Sequence, residues 1–325
     1  MKSYLILLLV ILLAGCDASK KKLTPKIRVV FDTDTNNELD DQHALAYLLF
    51  NQDVFKIEAI TINTTSSGGN IEMQYAEAIR VLQLCNADTL PVLKGADQSF
   101  QQIVSTIDSA VYDGHEAVAR IIEQAHKRAT DKLVVLAVGK LTNVALAVAK
   151  DSTIADRIRL VWLGSNYPEP GEHNQNNDTT AMNYLLNKKI DFEMVTVRYG
   201  KTTGTSVVTI TKREVGEVMP GLGPRISKPV IGRHSGEFYC FGDYAVNLFE
   251  HIDYHGDPPA RSLFDMAAVA IVKNPEWAQV TAHPAPLFVN GEWIERPDNV
   301  RQIKIWENFN RDAIIKDFIE SLKKY

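Results

Sequence analysis

From Lys26 to Phe50 (KIRVVFDTDTNNELDDQHALAYLLF) an apolar run gives way to a polar turn and then to apolar residues at helical spacing. Lys26 to Phe31 predicts a buried strand and Asp41 to Phe50 a helix. The turn therefore opens at the carboxyl end of a strand, the crevice in which open α/β sheets bind ligands. It carries five acidic side chains, Asp32, Asp34, Glu38, Asp40 and Asp41. Carboxylates so close together repel one another unless a cation or shared protons relieve them. A hard divalent cation is the simplest relief, and calcium, which accepts roughly six to eight oxygen ligands in irregular geometry, suits this turn better than magnesium. The bland alternative is a solvated loop whose Asp and Asn residues only make turns and a helix cap. The hydrophobic flanks argue against it, because they set the turn on the core.

Outward from this stretch, strand-like and helix-like segments alternate. Lys56 to Ile62, Leu133 to Val138, Ile158 to Leu163 and Phe192 to Val197 predict strands; Ile71 to Cys85, Ala117 to Ala129, Asn143 to Ala149 and Thr179 to Leu186 predict helices. Such alternation implies the α/β class: a single-domain open, mostly parallel sheet with helices on both faces. Val207 to Arg261 is more irregular, rich in Gly, Pro and charge, and reads as an insertion that roofs the site. A helix over Leu263 to Val272, further short strands and a helix over Arg311 to Lys324 complete the chain.

The amino terminus reads as a processing signal. Lys2 supplies charge, Leu5 to Leu13 is an apolar core too short for a comfortable membrane span, and Leu13-Ala14-Gly15-Cys16 closes it. These four residues resemble the lipobox of bacterial lipoproteins. The resemblance implies a signal peptide over 1–15, a lipidated Cys16, a tether over 16–25 and a catalytic domain over 26–325. It implies a bacterial envelope protein, lipid-anchored on the periplasmic side or the cell surface, held at a membrane without entering it. Cys85 and Cys240 remain, and two buried free thiols are expected, since a body of this size has a core large enough to hold itself together. A net charge of −5 with no long basic run excludes an electrostatic case for nucleic-acid polymers. A homo-oligomer is compatible with the composition.

Four motifs, the acidic turn among them, sit in order along the chain. Phe31 to Asp41 supplies Asp32, Asp34, Asp40 and Asp41; Ala137 to Asn143 reads Ala-Val-Gly-Lys-Leu-Thr-Asn; Glu172 to Asp178 reads Glu-His-Asn-Gln-Asn-Asn-Asp; and Phe264 to Ala270 reads Phe-Asp-Met-Ala-Ala-Val-Ala. Together they resemble the inosine-uridine-preferring nucleoside hydrolase family, whose members cleave the N-glycosidic bond of ribonucleosides with a bound calcium ion. That family opens with Asp-x-Asp-Pro-Gly-x-Asp-Asp. Here five residues, not three, separate Asp34 from Asp40, and Pro-Gly is absent.

The resemblance implies calcium held by Asp34, Asp41, Asp265 and the Val138 carbonyl, with Asp34 as general base on a bound water. It assigns Asp40 and Asp265 to the ribose hydroxyls, with Glu172, Asn174, Asn166 and Asn70 binding the rest of the sugar. Asp178 is also explained as the N-cap of the helix that follows it. Where many members place a leaving-group histidine, this chain has Phe264; His173, His234, Tyr254 and His255 are the alternative acids. Base preference is not legible. Two other readings compete. A non-catalytic nucleoside- or sugar-binding lipoprotein would use the same fold. A haloacid-dehalogenase-type phosphatase would use Asp32 as nucleophile and Asp34 as acid/base.

Overall fold

The computed structural model describes residues 26–325. The signal peptide, Cys16 and the tether of the sequence reading lie outside the described residues. The expected first strand, β1 (Ile27–Thr33), runs into the acidic turn and then into helix α1 (Leu39–Leu49). Val29, Val30 and Phe31 are fully buried because the strand is covered on both faces: Val29 and Phe31 enter one apolar layer, and Val30 enters the other. This is the pattern of parallel strands, which bury both sides and read as continuous apolar runs.

The sheet has eight strands. β1 is followed by β2 (Phe55–Ile62), β3 (Val92–Lys94), β4 (Leu133–Ala137), β5 (Ile158–Leu163) and β6 (Asp191–Val195). Two later strands, Gln279–Pro284 and Gln302–Glu307, complete it. Across the sheet the order is Gln279–Pro284, Gln302–Glu307, β6, β5, β4, β1, β2, β3. All neighbours are parallel except the edge strand Gln279–Pro284, which runs antiparallel to Gln302–Glu307. β1 lies between β2 and β4, so connections leave it in opposite directions. The carboxyl end of β1 is thus a topological switch point, where ligands gather in open α/β sheets.

Helices α1 and α2 (Ile71–Leu84) pack on one face of the sheet with the helices Phe241–Glu250, Phe264–Lys273 and Arg311–Leu322. The helices His115–His126, Thr142–Lys150 and Thr179–Leu186 cover the other face. Each fully buried Leu, Ile or Phe in these layers contributes about 1.5–3 kcal/mol through apolar burial. The Phe264–Lys273 helix packs along α1, and both helices start next to the end of β1. The irregular span between β6 and the Phe264–Lys273 helix contains short paired segments, Thr209–Thr211 against Ala260–Ser262 and Val230–Ile231 against Glu237–Phe238. Cys85 and Cys240 are both buried free thiols. Among the described residues no helix is long and apolar enough to cross a membrane.

Candidate active site

A cavity of about 360 Å³ opens at the carboxyl ends of the central strands, within the size range of small-molecule sites. Asp40, Asp41 and Asp265 stand in it together, and one carboxylate oxygen from each lies within 4.8 Å of the others. Local folding explains the convergence. Asp40 and Asp41 are in the first turn of α1 and Asp265 in the first turn of the Phe264–Lys273 helix. Two packed helices therefore aim their positive ends, and their first-turn acids, at one point.

Burial and mutual repulsion raise every carboxyl in this cluster. Asp40 is pushed up to about 7, by burial first and then by Asp34. Asp41 and Asp265 stand well above the ordinary range, by burial first and then by their acidic neighbours. Asp34 is pushed up to about 6 by burial, against the hydroxyl of Thr65 and the charge of Lys140. Lys140 does not close on the acids; its ammonium donates to the carbonyls of Asp97 and Gln98, each at 2.9 Å.

The three aspartates at the end of β1 and in the turn have different fates. Asp32 is saturated: Oδ1 accepts from Asn63 at 2.7 Å, and Oδ2 accepts from Thr61 at 2.6 Å and Asn143 at 2.8 Å. Asp41 accepts from Thr33 Oγ1 at 2.6 Å. Asp34 accepts from Thr65 through Oδ2, while its buried Oδ1 has no partner. Asn63 Oδ1 is likewise buried without a partner. Gly139 makes room for both: a Cβ there would stand 2.7 Å from each of these two oxygens. An unsatisfied buried acceptor costs about 1–3 kcal/mol, so two facing the same glycine mark a place built for a donor or a cation.

Glu172 and Asn174 form another wall. Glu172 is buried and accepts the backbone N–H groups of Ser165, Asn174 and Gln175 at 2.8, 3.0 and 2.8 Å; burial raises its carboxyl despite them. Asn174 Nδ2 donates to the carbonyls of Val138 at 2.8 Å and Leu163 at 3.1 Å. The Val138 carbonyl therefore has one bond in place and a second lone pair left. Asp178 caps the Thr179–Leu186 helix, accepting from Ala181 N at 3.0 Å.

Some expected residues are elsewhere. Asn70 is exposed and outside the cavity wall, its Oδ1 accepting from Met73 N at 3.1 Å as the cap of α2. The segment after β2 places Asn63, seven positions earlier, beside Asp32 instead. Asn166 is tied up at both ends of its amide, accepting from Tyr199 N at 2.8 Å and donating to Pro170 O at 3.2 Å, and it does not line the cavity. Of the four alternative acids, His173 and His255 line it; His234, stacked on His251, and Tyr254, stacked on Phe249, do not. Burial lowers His173, against the charge of Glu172.

The cavity also contains residues that sequence reasoning passed over. Tyr199 meets Phe264 edge to face, with ring centroids 5.8 Å apart. Arg261 enters from the Ala260–Ser262 segment, and Asn37 contacts His173 Nε2 at 3.3 Å. Asn63 had a usable signal, since it directly follows the strand beside β1. Tyr199 and Arg261 had none, being held by an irregular span with no periodicity.

Residues 29–314 match the inosine-uridine preferring nucleoside hydrolase family. The chain belongs to that family. It is thus an enzyme that hydrolyses the N-glycosyl bond of nucleosides. No curated protein matches this nucleoside hydrolase in sequence. Solved structures share its fold. A plant nucleoside hydrolase superposes with a TM-score of 0.70 at 17% identity, covering 93% of this chain and 100% of its own. A purine-preferring ribonucleoside hydrolase from Gardnerella vaginalis gives 0.68 at 17%, covering 91% and 98%. An inosine-uridine preferring nucleoside hydrolase from Bacillus anthracis gives 0.67 at 16%, covering 92% and 100%. The phosphatase alternative falls with these findings, and Asp32 shows why: a carboxylate held by three donors is not a free nucleophile.

Proposed function

We propose that this nucleoside hydrolase cleaves ribonucleosides to free base and ribose with calcium held by Asp34, Asp41, Asp265 and the Val138 carbonyl. The observation that carries the reading is the trio Asp40, Asp41 and Asp265, one carboxylate oxygen of each within 4.8 Å of the others; Asp34, with its buried, partnerless Oδ1, acts on all three by its charge but stands outside that set and does not line the cavity. Four buried acids with raised pKa values and oxygen donors from three distant parts of the chain fit a hard divalent cation. Bound there, the ion would supply the positive charge that acidifies an attacking water and fixes a sugar diol.

The chain's own groups do the rest. The proton of the attacking water is assigned to Asp34, whose buried Oδ1 has no hydrogen-bond partner. Asp40 and Asp265 accept from the ribose hydroxyls and stabilise the positive charge that builds on the sugar as the C–N bond stretches. Glu172, locked by three backbone N–H groups, presents a fixed carboxyl along the same face. Asn174 spends its amide nitrogen on two carbonyls, which leaves its oxygen for a sugar hydroxyl. Asn70 and Asn166 take no part, each being engaged elsewhere. The Leu13-Ala14-Gly15-Cys16 motif supports a lipid-anchored location in a bacterial envelope.

The test is ribose release from a panel of nucleosides. Turnover that stops on chelation and returns with calcium supports the reading. Tight nucleoside binding without turnover would instead favour the binding lipoprotein.

A further inference from the structure

Most of the cavity is acidic, yet one wall carries a guanidinium. Arg261 has a side chain only 11% exposed, paired through Nη2 with Glu38, whose side chain is 44% exposed. Its Nη1 lies 3.4 Å from His255 Nε2. The backbone around Arg261 is fixed. Ala260 and His255 exchange backbone hydrogen bonds, each 2.9 Å, Arg261 pairs with Ile210 in a short antiparallel segment, and Leu263 N donates to Val208 O at 2.8 Å. Three residues later comes Phe264, with Tyr199 against its edge, and then Asp265. The guanidinium thus belongs to the wall that carries Phe264, not to the wall of Glu172 and Asn174.

Resting on the nucleosidase reading above, we propose that Arg261 is the group that stabilises the departing base, and that it selects 6-oxopurine nucleosides. When the C–N bond breaks, its electron pair leaves with the base. Water oxygen forms the new bond to the anomeric carbon, and its proton goes to Asp34. The base then carries negative charge until it takes a proton from solvent. Phe264 has no proton to give, and burial disfavours the protonated form of His173. A guanidinium does not give up its proton at all, but it neutralises the charge where it forms. In a closed site, a preorganised donor of this kind is worth about 10²- to 10³-fold in rate.

Selection follows from the donor pattern. A guanidinium fork matches two adjacent acceptors, and a 6-oxopurine offers O6 and N7 along one edge. Adenine places an amino group at position 6 and sets donor against donor. Uracil offers no such pair on the edge next to its glycosidic nitrogen. Glu38 and His255 hold the fork in plane while leaving N–H groups of the five unspent. Phe264 and Tyr199 give the purine ring aromatic surfaces to rest on.

The experiment compares wild type with Arg261→Ala, Arg261→Lys and Glu38→Gln on inosine, guanosine, adenosine, uridine and 4-nitrophenyl β-ribofuranoside. The phenolate of the last leaves without help, so it reports the rest of the machinery and the folded fraction. Expected is a wild-type preference of at least about tenfold for inosine and guanosine over adenosine and uridine. In Arg261→Ala, kcat on inosine falls by about 10²-fold, the loss on the nitrophenyl riboside is at least about tenfold smaller, and the preference over adenosine collapses. Arg261→Lys restores rate more than preference, since an ammonium has the charge without the fork, and Glu38→Gln loses less than either arginine variant. An equal loss on inosine and the nitrophenyl riboside would make Arg261 a structural strap and overturn the proposal, as would unchanged inosine turnover or a wild type preferring adenosine or uridine. A wild type that cleaves neither kind of substrate with calcium present overturns the nucleosidase reading itself, and this inference with it.

Discussion

Two groups of buried acid in this molecule have opposite electrostatics. Glu193, on β6, is fully buried and answered on every side: Arg159 grips it at 2.8 and 2.9 Å, and Lys304 and Trp306 each donate at 2.8 Å. Burial pushes its carboxyl up, but these donors more than reverse that and hold it below the ordinary value of 4.5. At the end of β1, Asp34, Asp40, Asp41 and Asp265 are equally buried and answered by no such cations, and their carboxyls rise. Burial alone therefore does not distinguish structural from functional acids; the supply of partners does. The first group completes itself on folding, whereas the second is complete only with something brought from outside.

Four measurements sharpen or break this contrast. The largest effect is expected from Asp34→Asn, which removes the general base while keeping shape: kcat falls by about 10³-fold, with an unchanged circular-dichroism spectrum. Retained activity would break the assignment of roles within the turn. Glu193→Gln should do the reverse, costing about 2 kcal/mol of unfolding free energy in denaturant by leaving Arg159 without its carboxylate, while kcat stays at the wild-type value.

The pH response comes next, and its sign differs between the groups. Asp34 and Asp40, at about 6 and about 7 against an ordinary 3.8, bind protons more tightly folded than unfolded. Their contribution to stability is complete below about pH 4 and is lost as pH rises through 6 to 7. Glu193, depressed when folded, contributes above pH 4.5 and loses that contribution as pH falls below it. In chelator, thermal scans of the Glu193→Gln variant should thus show melting temperature falling from pH 4.5 to 7, and calcium should restore more at pH 7 than at pH 5. A calcium effect that does not depend on pH would break the picture of acids waiting for a cation. The smallest effect is expected from Asn70→Ala, a lost helix cap worth about 1 kcal/mol, with KM for nucleoside unchanged.

Much of this was legible in the chain. The strand–turn–helix of Lys26 to Phe50 located the cavity because period and composition change sharply there, and the alternation that followed gave the parallel sheet. Asp40, Asp41, Asp265, Glu172 and Asn174 converge on one cavity as the motifs implied. The exceptions have physical causes. β3 has only three residues, too few to show a period. The last two strands gave no sign that they would join beyond β6, because pairing across a sheet leaves no local trace. Asn70 shared its segment with Asn63, and only the fold shows that one caps a helix while the other reaches Asp32. Arg261 lies three residues from a motif phenylalanine, yet its partner Glu38 is more than two hundred positions away.

β1 has one more consequence. Its first residue, Ile27, and its last, Thr33, are the two ends of a central strand roughly 20 Å long at about 3.3 Å per residue. The cavity mouth is at the far end. The described chain thus enters the sheet a full strand length away from the acids that it carries to the cavity.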